Sequence, residues 1–143
     1  MIITDIEIET ASGIIGTGHL HPLASGIQTL EMCIQEMMVP LLIGEDARNV
    51  EALWQKMWQA SFIHGRMGIT VMAMSAIDIA LWDAVGRAEN KPLWQLWGGK
   101  PDPVPVYGSG CFRGLGHDGM IEKAEAFVAR GYDAIKMQVA HLF

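Results

Sequence analysis

Cysteine is scarce: Cys33 and Cys111 are the only two, in unrelated contexts and with no CxxC or Cys/His spacing. That argues against a disulfide-stapled secreted scaffold and against a zinc knuckle, and reads as two reduced thiols in a cytoplasmic protein. Positive charge is sparse too, with ten Lys and Arg against sixteen Asp and Glu and a net charge of -6. No Lys/Arg cluster offers itself to phosphates or an anionic bilayer, so neither nucleic acid nor membrane is an expected partner. The N-terminus has no basic segment followed by an apolar run, the mark of a secretory leader. The most apolar stretch, Met67 to Leu81, is interrupted by Thr70, Ser75 and Asp78 and reads as a buried helix of a soluble protein. Internal repeats and low-complexity tracts are absent. His19, His21 and His64 lack zinc-like spacing. Gly108-Ser109-Gly110 is no dinucleotide loop, because Arg113 stands where the third glycine belongs.

What is present can build a core, since half of the 143 residues are hydrophobic. In residues 2–9, Ile2, Thr4, Ile6 and Ile8 alternate with Ile3, Asp5, Glu7 and Glu9, a half-buried strand. Ala11-Ser12-Gly13 turns the chain into a second strand over Ile14 to Gly18, and residues 19–26 are expected as a loop. A helix follows from Ile27 to Val39, with Ile27, Leu30, Ile34, Met37 and Met38 apolar and Pro40 ending it. Asp46 is expected to cap the next helix, whose apolar face is Val50, Leu53, Trp54, Met57 and Trp58. The strongest helix spans Ile69 to Glu89 and is apolar nearly all round, which predicts a central, many-sided packing role. Pro92 to Trp97 reads as a short helical turn stopped by Gly98-Gly99.

Pro101, Pro103 and Pro105 mark a composition change and a domain boundary, dividing 1–100 from 101–143. Beyond it the pattern is strand (Val104 to Gly110), helix (Asp118 to Arg130), strand (Asp133 to Val139). A single βαβ unit implies parallel strands and a right-handed crossover. It cannot close a core alone, because a barrel of this kind needs eight strands and typically about 250 residues. Within 134–139, Ala134, Lys136 and Gln138 share one face and Ile135, Met137 and Val139 the other.

Ala73 to Gly99, AMSAIDIALWDAVGRAENKPLWQLWGG, resembles the signature of the mandelate racemase and muconate-lactonizing family of the enolase superfamily. Ala73, Ser75, Ala76, Ile77, Asp78, Ala80, Leu81, Asp83, Gly86, Arg87, Pro92, Leu93, Leu96 and Gly98 fit it, and Trp97 departs from the usual aliphatic. Asp78 and Asp83 read as capping or interdomain partners in place of catalysts, since buried carboxylates must be hydrogen-bonded. Gly16-Thr17-Gly18 is similar to the end of the family's capping sheet, with His19 where an acid is common. Gly131 to Val139, GYDAIKMQV, resembles the second barrel strand. Lys136 matches its first lysine, and Gln138 replaces the second.

The resemblance implies an α+β capping domain (antiparallel sheet plus helices) lacking one strand and its loop, then the first strands of a truncated (β/α) barrel. It implies removal of a proton α to a carboxylate, with Mg²⁺ holding the enediolate on carboxylate ligands expected beyond Phe143 and none within this chain. It assigns catalysis to Lys136 and Gln138, and substrate binding to His19, His21, Arg66 and His141, with His64 in the same cap segments. Gln138 cannot act as a base at neutral pH, which favours one-sided dehydration of a sugar acid over racemisation through a lysine pair. Racemase, epimerase or cycloisomerase chemistry, or a non-catalytic capping fragment, are the alternatives. The expected partners are a small-molecule carboxylate and further copies of the chain in a homo-oligomer, with this chain alone inactive.

Overall fold

The computed structural model describes residues 4–21 and 26–139. Contacts divide the chain into two compact units, Met1–Lys100 and Pro101–Phe143.

The first unit opens with a hairpin. Strand β1 (Thr4–Glu9) pairs antiparallel with β2 (Ile15–Leu20), in a register that sets Ile8 opposite Gly16 and Ile6 opposite Gly18. Thr10 holds the turn, accepting the Ile14 N–H on its hydroxyl at 3.0 Å, while Gly13 supplies the positive φ of 79°. Ile6 and Ile8 pack half-buried on the core and Asp5, Glu7 and Glu9 face out, as the alternation predicts. Strand β2 runs two residues further than expected, so His19 lies on the strand and not in a loop. Of residues 22–25 within the expected loop nothing is described.

Next come α1 (Ile27–Met32), a π-helical stretch (Cys33–Met38) and α2 (Val39–Leu42). The expected stop at Pro40 does not occur. A proline inside a helix lacks its N–H and clashes with the carbonyl four residues back, and the wider π turn just before it relieves that conflict. The Val39 N–H accordingly bonds five residues back, to the Ile34 carbonyl. Leu30, Cys33, Ile34 and Met38 are buried.

Helix α3 (Val50–Ala60) starts later than expected, and Asp46 does not cap it. Its carboxylate instead takes the Arg48 backbone N–H at 3.0 Å and forks with the Arg48 guanidinium at 3.1 and 3.0 Å, closing the preceding turn. An Asp so placed satisfies its own loop before it can reach a helix end. Lys56 on α3 donates to the Leu41 carbonyl at 2.7 Å and to Glu45 at 2.6 Å, tying α3 to the end of α2.

Helix α4 (Ile69–Glu89) is the centre of the unit, with Thr70, Ala73, Met74, Ala76, Ile77, Ala80, Leu81, Ala84 and Gly86 all buried. By length and apolarity it could cross a bilayer, but β1, β2, α1 and α3 pack around it. Asn90 ends it in the left-handed conformation, and the Lys91 N–H reaches back to the Gly86 carbonyl at 3.0 Å. Helix α5 (Leu93–Leu96) follows, and Trp97 meets Trp82 edge-on with ring centroids 5.2 Å apart.

The second unit holds β3 (Gly108–Cys111), a 3₁₀ turn (Arg113–Leu115), α6 (Gly116–Ala129) and β4 (Ile135–Met137). The strands pair in parallel, as the βαβ pattern requires, though both are shorter than expected. Phe127 of α6 lies over Gly108, where a Cβ would strike its ring, and Gly110 leaves only tight room beside Lys123 and Phe127. Cys111 and Phe127 are buried, whereas Val104, Val106 and Val139 are 77%, 68% and 81% exposed.

Gly16 and Gly18 carry a strict packing demand. A Cβ on either would run into the α4 backbone, at Ala80 and Ala84 for Gly16 and at Ala76 and Ala80 for Gly18. Gly16→Ala and Gly18→Ala should each cost roughly 1–3 kcal/mol or more in urea unfolding. Gly114→Ala, whose Cβ meets nothing within 4 Å, should stay within about 0.5 kcal/mol. Equal effects at all three positions would refute this packing account.

Candidate functional site

In the first unit an open depression of about 500 Å³ is lined by His19, Leu20, His21, Gly68, Val71, Met72 and Ser75. The end of β2 supplies the histidines and the first turns of α4 supply the floor. The close seating of β2 on α4 therefore sets this geometry. Two of the residues expected to bind substrate, His19 and His21, are thus brought together, and Ser75 joins them from the signature itself. His64 is exposed in the 61–68 loop and does not line the depression.

Arg66 also lies outside it, folded back on α3. Its Nε–H donates to the Trp58 carbonyl at 2.9 Å, and its guanidinium carbon sits 4.9 Å from the Trp58 ring centroid and 5.4 Å from that of Phe62. His141 falls outside the described residues.

In the second unit Lys136 is the central residue of β4, exposed, and Ser109 of β3 is its register partner. Neighbours in a parallel ladder project to the same face, so a hydroxyl and an ammonium share one surface. Nothing in the sequence around Ser109 marks it; the strand register, which no single segment reveals, is what identifies it. Gln138 lies one residue past β4, anchored by its N–H to the Cys111 carbonyl at 3.0 Å.

The signature carboxylates do different work. Asp83 Oδ2 accepts the Thr17 N–H of β2 and the Arg87 Nε–H, both at 2.8 Å, and so fastens the sheet to α4. Burial raises its pKa, but those two hydrogen bonds outweigh burial and hold it below the usual carboxylate value. Asp78 is shifted the other way, raised by burial and then by the nearby Glu51 charge. Among the described residues no group of three or more His, Cys, Asp or Glu could hold a metal ion.

An α+β cap built on this signature helix, followed by a parallel βαβ unit carrying Lys136, defines the front of an enolase-superfamily protein. The chain belongs to the mandelate racemase / muconate lactonizing enzyme family, whose N-terminal domain model matches residues 2–98. It is 37% identical over 134 residues to the 3,6-anhydro-alpha-L-galactonate cycloisomerase of Streptomyces coelicolor, covering 94% of this chain and 37% of that protein. To the arabinonate dehydratase of Saccharolobus solfataricus it is 34% identical over 142 residues, covering 97% of this chain and 38% of that one. Among solved structures, a racemase from Streptomyces coelicolor A3(2) with bound magnesium superposes with a TM-score of 0.88 at 36% identity. That match covers 97% of this chain and 42% of the racemase. The chain thus spans less than two-fifths of the length of these two curated relatives.

The two aspartates should act oppositely on stability. Asp83, with its lowered folded pKa, stabilises above its unfolded value of about 4, and that contribution is lost as pH falls through the folded value. Asp78, with its raised folded pKa, costs stability progressively as pH rises from its unfolded value through the folded one, and the full cost is present above it. At pH 7 Asp83→Asn should lower the melting temperature and Asp78→Asn should raise it or leave it unchanged. The opposite order in thermal melts would refute both assignments.

Magnesium is a separate matter. The racemase neighbour holds it, but the described residues here offer no fitting cluster. Calorimetric titration of this chain with Mg²⁺ should show no stoichiometric site of micromolar affinity. Detection of one would overturn this reading of the carboxylates.

Proposed function

We infer that this chain forms the cap and the first barrel strands of a magnesium-dependent enzyme that removes a proton α to a carboxylate, most simply a sugar-acid dehydratase. The observation that carries the reading is Lys136, exposed on β4 beside Ser109, in the segment that resembles the family's second barrel strand. Curated relatives support the substrate class, among them the arabinonate dehydratase and a D-mannonate dehydratase of Caulobacter vibrioides.

As the α-proton leaves, negative charge develops on the substrate carboxylate. An ammonium already beside it stabilises that charge more in the transition state than in the ground state. Lys136 takes this role, and the Ser109 hydroxyl orients the same carboxylate. Gln138 contributes hydrogen bonds and no proton, which places the base and the acid elsewhere in the enzyme. Substrate binding is proposed, by resemblance to the family, for His19 and His21, which share the depression of the first unit with Ser75. Magnesium acts as a Lewis acid in such enzymes, and its ligands are assigned to parts of the protein outside this chain. The cytoplasm is the proposed location and a homo-oligomer the proposed assembly.

Cycloisomerisation is the second reading, favoured by the 37% identity to the Streptomyces cycloisomerase. It shares the α-proton abstraction and differs in the β-oxygen expelled: a ring ether oxygen, whose C–O bond breaks and which takes up the proton while staying on the molecule, in place of a hydroxyl lost as water.

The test uses an enzyme that carries this chain ahead of a complete barrel. On a panel of sugar acids, Lys136→Ala should lower kcat/KM by roughly 10²–10⁴-fold, with an unchanged thermal melt. Gln138→Ala should cost less. Full turnover in Lys136→Ala with loss in Gln138→Ala would refute the role assignment. Mass analysis separates the two readings, because dehydration loses one water from the substrate and cycloisomerisation leaves its mass unchanged.

A further inference from the structure

His19 lies on β2 and His21 one residue past its end, with Leu20 between them. Leu20 is buried while both histidines are exposed, the alternation of an extended chain. Alternate residues project to the same side, roughly 6.6 Å apart along the strand. Both imidazoles accordingly line the one depression of about 500 Å³.

Helix α4 supplies the rest of the lining in step with the strand. Gly16 meets Ala80 and Ala84, and Gly18 meets Ala76 and Ala80, so two residues along β2 match four along α4. The same step carries Leu20 to Met72. Met72, half-buried, therefore stands level with the residue between the two histidines, and Ser75 follows one turn on.

Two imidazoles and a thioether make a donor set with a definite preference. Imidazole suits copper, nickel and zinc, whereas a thioether is soft and selects monovalent copper. No carboxylate lines the depression among the described residues, which disfavours a hard ion such as magnesium at this spot. Gly68, just ahead of α4, lines the depression too. The positive end of the helix dipole there opposes a divalent ion more than a monovalent one. The two thiols that would compete for copper, Cys33 and Cys111, are both buried.

We propose that His19, His21 and Met72 form a binding site for a single Cu(I) ion on the first unit. The site uses nothing from the second unit and nothing from the role proposed for Lys136.

The test titrates the whole chain with Cu(I), kept reduced by ascorbate, in competition with a chromogenic Cu(I) chelator. One equivalent should bind saturably. His19→Ala and His21→Ala should each weaken binding by more than the roughly 10–100-fold that loss of a merely supporting residue costs a metal site. Met72→Leu, which conserves volume, should weaken Cu(I) by roughly tenfold and leave Cu(II) within about twofold. Electron paramagnetic resonance of the Cu(II) form should show two nitrogen donors in the parent and one in either histidine variant. His64→Ala and His117→Ala, outside the depression, should bind like the parent. Thermal melts check each fold, and His19→Gln and His21→Gln repeat the measurement with side-chain size kept.

Absence of saturable one-to-one binding overturns the site, as do histidine variants that bind Cu(I) like the parent. Loss of binding in Cys33→Ser or Cys111→Ser overturns it as well, because the metal is then held by thiols. Unchanged Cu(I) affinity in Met72→Leu overturns the place of the thioether, and tighter binding of Zn²⁺ than of Cu(I) overturns the choice of metal.

Discussion

The cap depends on how closely a strand can approach a helix. Strand β2 presents Gly16 and Gly18 to α4, and α4 answers with Ala76, Ala80 and Ala84. Small residues on both sides bring the strand onto the helix backbone, closer than any pair of branched side chains would permit. Dispersion is strongest at such short range, and the contact leaves no space for water. It also brings the Asp83 carboxylate within 2.8 Å of the Thr17 N–H, an edge donor of the hairpin that would otherwise lack a protein acceptor. From this contact follow the path of β2, the position of His19 and His21 at its end, and their nearness to Ser75.

Periodicity exposed much of this before any coordinates. The hairpin, the extent of α4 and the parallel βαβ unit were all readable, because each rests on a repeating pattern or on turn chemistry confined to a few residues. The failures share a cause as well. Pro40 reads locally as a stop, since the rule assumes an α-helix, and the preceding π turn changes the hydrogen-bond spacing the rule depends on. Asp46 reads locally as a helix cap, although Arg48 two residues on claims its carboxylate first. Extension of β2 to Leu20 is a tertiary effect, and nothing in the local run HLHP announces it. Of the candidate site, the resemblance points to the lysine and the histidines. Ser109 depends on strand register and the Arg66 clamp on tertiary contact, so neither could be found from one segment.

The cations of this acidic chain divide the labour. Arg87 and Lys56 secure packed elements, Arg48 closes a turn, and Lys91 flanks the end of α4. Lys136 stands in the open on a strand of the second unit, and Arg66 is clamped by aromatic rings in the first. In the proposed function, Lys136 is the cation that stabilises developing charge.

The two units also differ in how self-sufficient they are. The core around α4 draws every buried partner from the first hundred residues, whereas the βαβ unit leaves Val104, Val106 and Val139 uncovered. Ribosomes release a chain from its N-terminus, and domains tend to fold as units as they emerge. A chain laid out in this order would complete its cap while barrel strands were still being made. The apolar strand residues, last to find cover, would be the segment most in need of a chaperone during synthesis.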